Sequence, residues 1–91
     1  MTPEQIRDKL AMIIVERLNT AILLQQVAWD STLRDDLGID SLGASELLFE
    51  IEEEFGAPIA DRDVPSLVTV RDAVNAIARS LQAAQTSSEA A

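Results

Sequence analysis

Ninety-one residues with sixteen acids, seven bases and a net charge of −9 describe one small acidic domain, near the lower size at which a single apolar core suffices. That charge repels nucleic acid and anionic lipid and favours partners with basic patches. With no Cys and no His, the chain has no disulfide, thiolate nucleophile, imidazole base or ordinary zinc site, and a catalytic role is disfavoured.

Thr2-Pro3-Glu4-Gln5 has the form of a helix start, with Thr2 as cap, Pro3 at the first position and Gln5 completing a capping box. Ile6, Leu10, Ile13 and Ile14 recur at helical spacing, so the first helix is expected to reach about Leu18, with Asn19-Thr20 as a weak stop. The N-terminus lacks the basic stretch and apolar run of a signal peptide. The apolar runs Ala11–Val15 and Ala21–Leu24 are too short to span a bilayer. A cytoplasmic protein without membrane insertion is expected.

Residues 19–40 show no sustained period, an unusual length of loop for so small a domain. Val27, Trp29 and Leu33 are its expected anchors, and Ala21–Leu24 are apolar enough for a short turn or a docking contact. A second helix is expected from Asp40 or Ser41 to Phe55, closed by Gly56 and Ala57-Pro58. One short helical turn over 61–64 precedes Pro65. The last helix starts at Thr69, with Asp72 three residues on, and carries the stripe Val70, Ala73, Val74, Ile77, Ala78 and Leu81. Beyond Leu81 nothing apolar remains to bury, so a folded domain over 1–83 and a flexible tail over 84–91 are expected. The fold class is all-α: a small four-helix bundle with three main helices, one short helix and a long first loop.

At about 100° per residue, Ala44, Leu47, Leu48, Ile51 and Phe55 share the face of the second helix that should be buried. The opposite face carries Leu42, Glu46, Phe49 and Glu53, with Ser45 and Glu50 beside it. Two readings of that face stand open: ordinary exposed side chains on a solvated helix, or apolar anchors ringed by charge that steer a basic partner. Ser41 is open in the same way. It is either a helix cap, or, with Asp40 doing the capping, a free hydroxyl at a helix N-terminus suited to carry a phosphodiester.

Sharper chemistries fail on the residues. A calcium loop over Asp35 to Glu46 has Leu37 and Ile39 at ligand positions and Asp40 where its turn glycine belongs. The G-x-S-x-G elbow of serine hydrolases is absent, since residues 39–43 are Ile-Asp-Ser-Leu-Gly. No catalytic residue and no metal site is assigned.

The block DLGIDSL (36–42), followed by ELLFEIEEEFG (46–56) and TVRDAV (69–74), resembles the acyl carrier proteins over roughly residues 4 to 81. The resemblance implies that Ser41 receives 4′-phosphopantetheine from coenzyme A, transferred by a phosphopantetheinyl transferase, with Asp40 as the acid beside the attachment point. The arm's thiol then carries acyl groups as thioesters. By the same resemblance Leu42, Glu46, Phe49 and Glu53 meet loading, extending and modifying enzymes, while Leu47, Leu48, Ile51, Ile59, Leu67 and Val70 line the interior where cargo is sheltered. A monomeric carrier, not an enzyme, is implied.

The chain departs from that pattern at three places. Gly43 stands where fatty-acid carriers commonly have an acid, the first loop is about two residues longer, and Arg62 and Pro65 occupy a segment that is usually acidic. These departures suggest a discrete carrier of a polyketide or other specialised pathway. A fatty-acid carrier and an aminoacyl or peptidyl carrier, including the D-alanyl type, are the alternatives. A helical protein-binding module that is never modified is the alternative of a different class.

Overall fold

Thr2 starts the first helix as its neighbours dictate. In the computed structural model, which describes residues 2–18 and 21–90 and their side chains through residue 83, the Thr2 hydroxyl accepts the Gln5 N–H at 3.2 Å. The Gln5 side-chain oxygen accepts the Thr2 N–H at 2.9 Å. Helix α1 runs Pro3–Ile13 and buries Ile6, Leu10, Ala11 and Ile13. A wider π-helical turn continues over Ile14–Leu18. The stop expected at Asn19-Thr20 lies outside the described residues.

The long first loop contains one short 3-10 turn, Leu24–Gln26. Val27 and Leu33 are buried and Trp29 is half-buried, as expected of anchors, and Ile22, Leu37 and Ile39 are buried with them. Within the 21–24 run Ile22 is buried, whereas Leu23 and Leu24 are exposed. Trp29 is flanked by two guanidinium groups, Arg7 at 5.0 Å and Arg71 at 5.6 Å from the ring centroid. The loop backbone meets the start of the last helix: Leu33 N–H donates to the Val68 carbonyl at 2.8 Å, Val70 N–H to Ser31 at 3.0 Å, and Arg71 N–H to Trp29 at 2.9 Å. Partners for the loop's polar groups thus come from a segment some forty residues away, with Thr32 and Thr69 facing each other as an antiparallel pair.

Helix α2 spans Ser41–Phe55 and ends on Gly56 in the left-handed conformation. Leu47 and Ile51 are buried, and Leu48 and Phe55 half-buried. Ala44 corrects the expected stripe: it has the right period but is exposed, because the elements around it leave an open cavity there. The short helix is a 3-10 segment over Asp61–Ser66 that includes Pro65. The expected stop before this proline is wrong, because its fixed φ suits a short 3-10 turn. Arg79 ties this segment to the last helix through Asp63 at 3.3 Å.

Helix α3, Val70–Ala90, opens with the Thr69–Asp72 exchange the sequence announces. The Thr69 hydroxyl accepts the Asp72 N–H at 3.2 Å, and the Asp72 carboxylate accepts the N–H groups of Thr69 (3.0 Å) and Val68 (3.2 Å). Val70, Ala73, Val74 and Ile77 are buried, Ala78 and Leu81 half-buried, and Ala76, outside the expected stripe, is buried too. The helical backbone continues past Leu81 to Ala90, and the flexible tail expected over 84–91 falls where side chains lie outside the described residues. Helices α1 and α3 pack together around Ile6, Leu10, Ile14, Ile51, Val74 and Ile77, with Leu37 sealing the core from the loop. The architecture is a small all-α bundle, with no strand among the described residues. None of its helices there is long and apolar enough to cross a membrane.

Candidate functional site

The approach to Ser41 is built by a tight turn. Thr32 and Asp36 exchange backbone-to-side-chain bonds at 2.8 and 3.0 Å, and Leu37 N–H returns to the Thr32 carbonyl at 3.0 Å. Gly38 then takes a φ of 69°, a region that costs a side-chain-bearing residue free energy, and Ile39 drops into the core. Asp40 follows as the cap of α2. Its carboxylate accepts the Gly43 N–H at 2.8 Å and its carbonyl accepts the Ala44 N–H at 2.7 Å.

Because Asp40 does the capping, Ser41 does not. Ser41 is the first residue of α2 and exposed, and its hydroxyl makes no hydrogen bond among the described residues. With no histidine in the chain, nothing here turns that hydroxyl into a nucleophile. The group is presented, not activated.

Gly43 also acquires a reason. A Cβ at this position would lie 3.2 Å from the Ile39 Cγ2 methyl and 3.3 Å from the Asp40 Oδ1 that caps the helix. The glycine leaves room for both the buried isoleucine and the cap.

Beside Ser41 opens a cavity of about 360 Å³. Its walls come from the loop (Thr32, Leu33, Arg34, Asp35, Ile39), the start of α2 (Asp40, Ser41, Ala44, Leu47, Leu48) and the segment entering α3 (Val64, Leu67, Val68). Of the six interior residues expected to line such a space, Leu47, Leu48 and Leu67 do. Ile51, Ile59 and Val70 are not among the lining residues and belong to the closed core. The loop residues, Val64 and Val68 were not anticipated as lining, and residues 32–35 lie in a stretch without period.

On the other side of α2, Leu42 is 70% and Phe49 60% exposed, and Glu46 and Glu53 are exposed with them. Glu50 separates from this group. It is half-buried and paired with Arg17 from the end of the first helical segment, and its carboxylate holds the Arg17 guanidinium even more firmly protonated than usual. A second hollow of about 310 Å³, lined by Arg17, Leu18, Ser45, Glu46, Phe49 and Glu50, runs along that seam. No group of three acids is placed to hold a metal ion among the described residues.

Two comparisons bear on this geometry. The phosphopantetheine attachment site family matches residues 8–77. Among solved structures, an acyl carrier protein from Enterococcus faecalis, studied for the structural components behind its high thermal stability, is 36% identical. That match has a TM-score of 0.69 and covers 88% of this chain and 99% of the other.

Proposed function

The chain belongs to the acyl carrier proteins, the phosphopantetheine-binding carriers, and on that premise we propose that Ser41 is the attachment point and that α2 presents it to partner enzymes. Proteins of this family are carriers and not enzymes, and the matched domain is the site of covalent 4′-phosphopantetheine attachment. The observation that carries the proposal is the free, exposed Ser41 hydroxyl beside a cap supplied by Asp40. A serine serving only as a cap would have its oxygen on a backbone N–H.

The residues fit the group. A transferase supplies the base that this chain lacks, and the Ser41 oxygen attacks the β-phosphate of coenzyme A. The new Ser–O–P bond replaces the phosphoanhydride, and the nucleotide leaves. Once attached, the arm supplies a thiol that holds an acyl group as a thioester. Leu47, Leu48 and Leu67, with Val64 and Val68, give the neighbouring cavity apolar walls that favour an acyl chain over an aminoacyl one. Leu42 and Phe49 provide apolar anchors, and Glu46 and Glu53 the charge that steers basic partner surfaces. We place the protein as a cytoplasmic monomer of a polyketide or other specialised pathway. The exposed Leu23 and Leu24 of its long loop and Arg62 and Pro65 of its 3-10 helix support that placement. Gly43 no longer supports it independently, since local packing accounts for the glycine.

Co-expression with a broad-specificity phosphopantetheinyl transferase tests the assignment. One arm mass on the wild type and none on Ser41→Ala is the expected result. A Ser41→Ala chain that is still modified refutes it, and a wild type that is never modified favours the protein-binding module. Ejecting the arm of the native holo-protein in a mass spectrometer identifies the cargo. Polyketide-type intermediates are expected; saturated chains or amino acids would move the protein to another pathway.

A further inference from the structure

Five of the seven basic side chains have partners on the protein. Arg7 and Arg71 flank Trp29, Lys9 lies 5.6 Å from the Phe55 ring, Arg17 pairs with Glu50, and Arg79 with Asp63. Arg34 and Arg62 make no ion pair, hydrogen bond or ring contact among the described residues. For an arginine in a chain with sixteen acids and a net charge of −9 that is unusual. Arg62 is not among the residues lining any cavity described here, whereas Arg34 is the one base among those that line the cavity containing Ser41.

Two of the acids near Arg34 are engaged elsewhere. Asp36 closes the turn with Thr32, and Asp40 holds the Gly43 N–H. That turn fixes the backbone carrying Arg34, so its position at the cavity does not depend on a partner. Asp35 and Asp40 line the same cavity, so a phosphodiester on Ser41 would add a third anionic group where two already repel it. A guanidinium presents a planar fork that matches two phosphate oxygens at once.

We propose that Arg34 is a positioning residue for the phosphodiester joining the arm to Ser41, compensating Asp35 and Asp40 and holding the root of the arm along the cavity. This rests on Ser41 being the attachment point. The chemistry at stake is an oxyanion next to Ser41; the other source of one is a carboxylate on the cargo.

The test begins with the mass of the holo-protein carrying an isotope-labelled pantetheine arm and no cargo. A chain that takes no arm overturns the attachment reading and this one with it. With the arm in place, the Arg34 Nε–Hε resonance is expected to shift between apo and holo forms and to exchange with water several-fold more slowly in the holo form. Relaxation of the arm's first amide should report restricted motion. Arg34→Gln should release that amide to the mobility of free pantetheine, and Arg34→Lys should restore part of the restriction. The difference should vanish at about 1 M salt, where the Debye length is ~3 Å. An Arg34 signal identical in apo and holo forms, or an arm equally restricted in Arg34→Gln, overturns the proposal while leaving the attachment intact. A response that appears only after loading a dicarboxylic acyl group assigns Arg34 to cargo and overturns it as well.

Discussion

Gly43→Ala separates helix propensity from local packing. Replacing a glycine inside a helix by alanine normally stabilises by roughly 0.5–1 kcal/mol, because the unfolded chain loses freedom. At residue 43 the added methyl would press on Ile39 Cγ2 at 3.2 Å and Asp40 Oδ1 at 3.3 Å, so each must give way by a few tenths of an ångström. Neither can do so freely. The methyl belongs to a buried β-branched side chain whose χ1 is restricted, and the oxygen is held by the Gly43 N–H itself. A weakened cap costs about 1 kcal/mol, and crowding a buried side chain costs at least about 1 kcal/mol more.

The balance is a net loss of about 1 kcal/mol, which lowers the thermal midpoint of a domain this size by about 4–8 °C. Far-UV circular dichroism and the fluorescence of Trp29, the single tryptophan, follow the unfolding from two probes. A midpoint that rises refutes the reasoning, because it would mean Ile39 and Asp40 relax without cost. The same crowding applies to Gly43→Asp, so an acid at this position requires a smaller neighbour than Ile39.

Glu46→Lys and Glu53→Lys are expected to slow turnover by a partner enzyme several-fold, mainly at low salt, with an unchanged circular dichroism spectrum; loss of helicity would make these glutamates structural. Glu50→Lys should behave differently, since it breaks the pair with Arg17 and places two cations together, so its thermal midpoint falls where those of the other two do not. Asp72 supplies a pH dependence. Hydrogen bonds from the backbone N–H of Thr69 above all, and of Val68, hold its carboxyl below the ordinary carboxylate range against the opposing effect of burial. A depressed folded-state value means that its contribution is present above about pH 4 and is lost as the pH falls through the lower folded value. Asp72→Asn should therefore flatten the acid limb of the stability profile, and an unchanged limb counts against the role.

Where the sequence was legible, the determining contacts were local. Thr2 with Gln5, Asp40 with Gly43, and Thr69 with Asp72 each lie within three residues, and all three helix starts fall where those side chains place them. The loop was illegible for the opposite reason. Ile22, Val27, Leu33, Leu37 and Ile39 are buried at intervals that fit neither helix nor strand. The backbone bonds that fix their course reach Val68, Val70 and Arg71, contacts that no window along the chain contains. Arg17 was missed on the same ground: its pairing with Glu50 spans thirty-three residues.

The division of the expected interior residues follows from the same limit. Periodicity places Leu47, Leu48 and Ile51 on one face of α2, but a face is closed only where another element lies over it. Ile51 is fully buried in the core it shares with Val70 and Ile77, whereas Ala44, Leu47 and Leu48 border a space. That space is bounded opposite them by Val64, Leu67 and Val68, from a 3-10 segment and its exit that contribute no fully buried side chain of their own. The difference between core and cavity therefore lies in the weakness of the opposing wall, not in α2. In the proposed carrier, the short and poorly buried 64–68 wall is the side expected to move for a longer acyl chain, against the Asp63–Arg79 pair that ties its segment to α3, while the α2 side is held by the Asp40 cap.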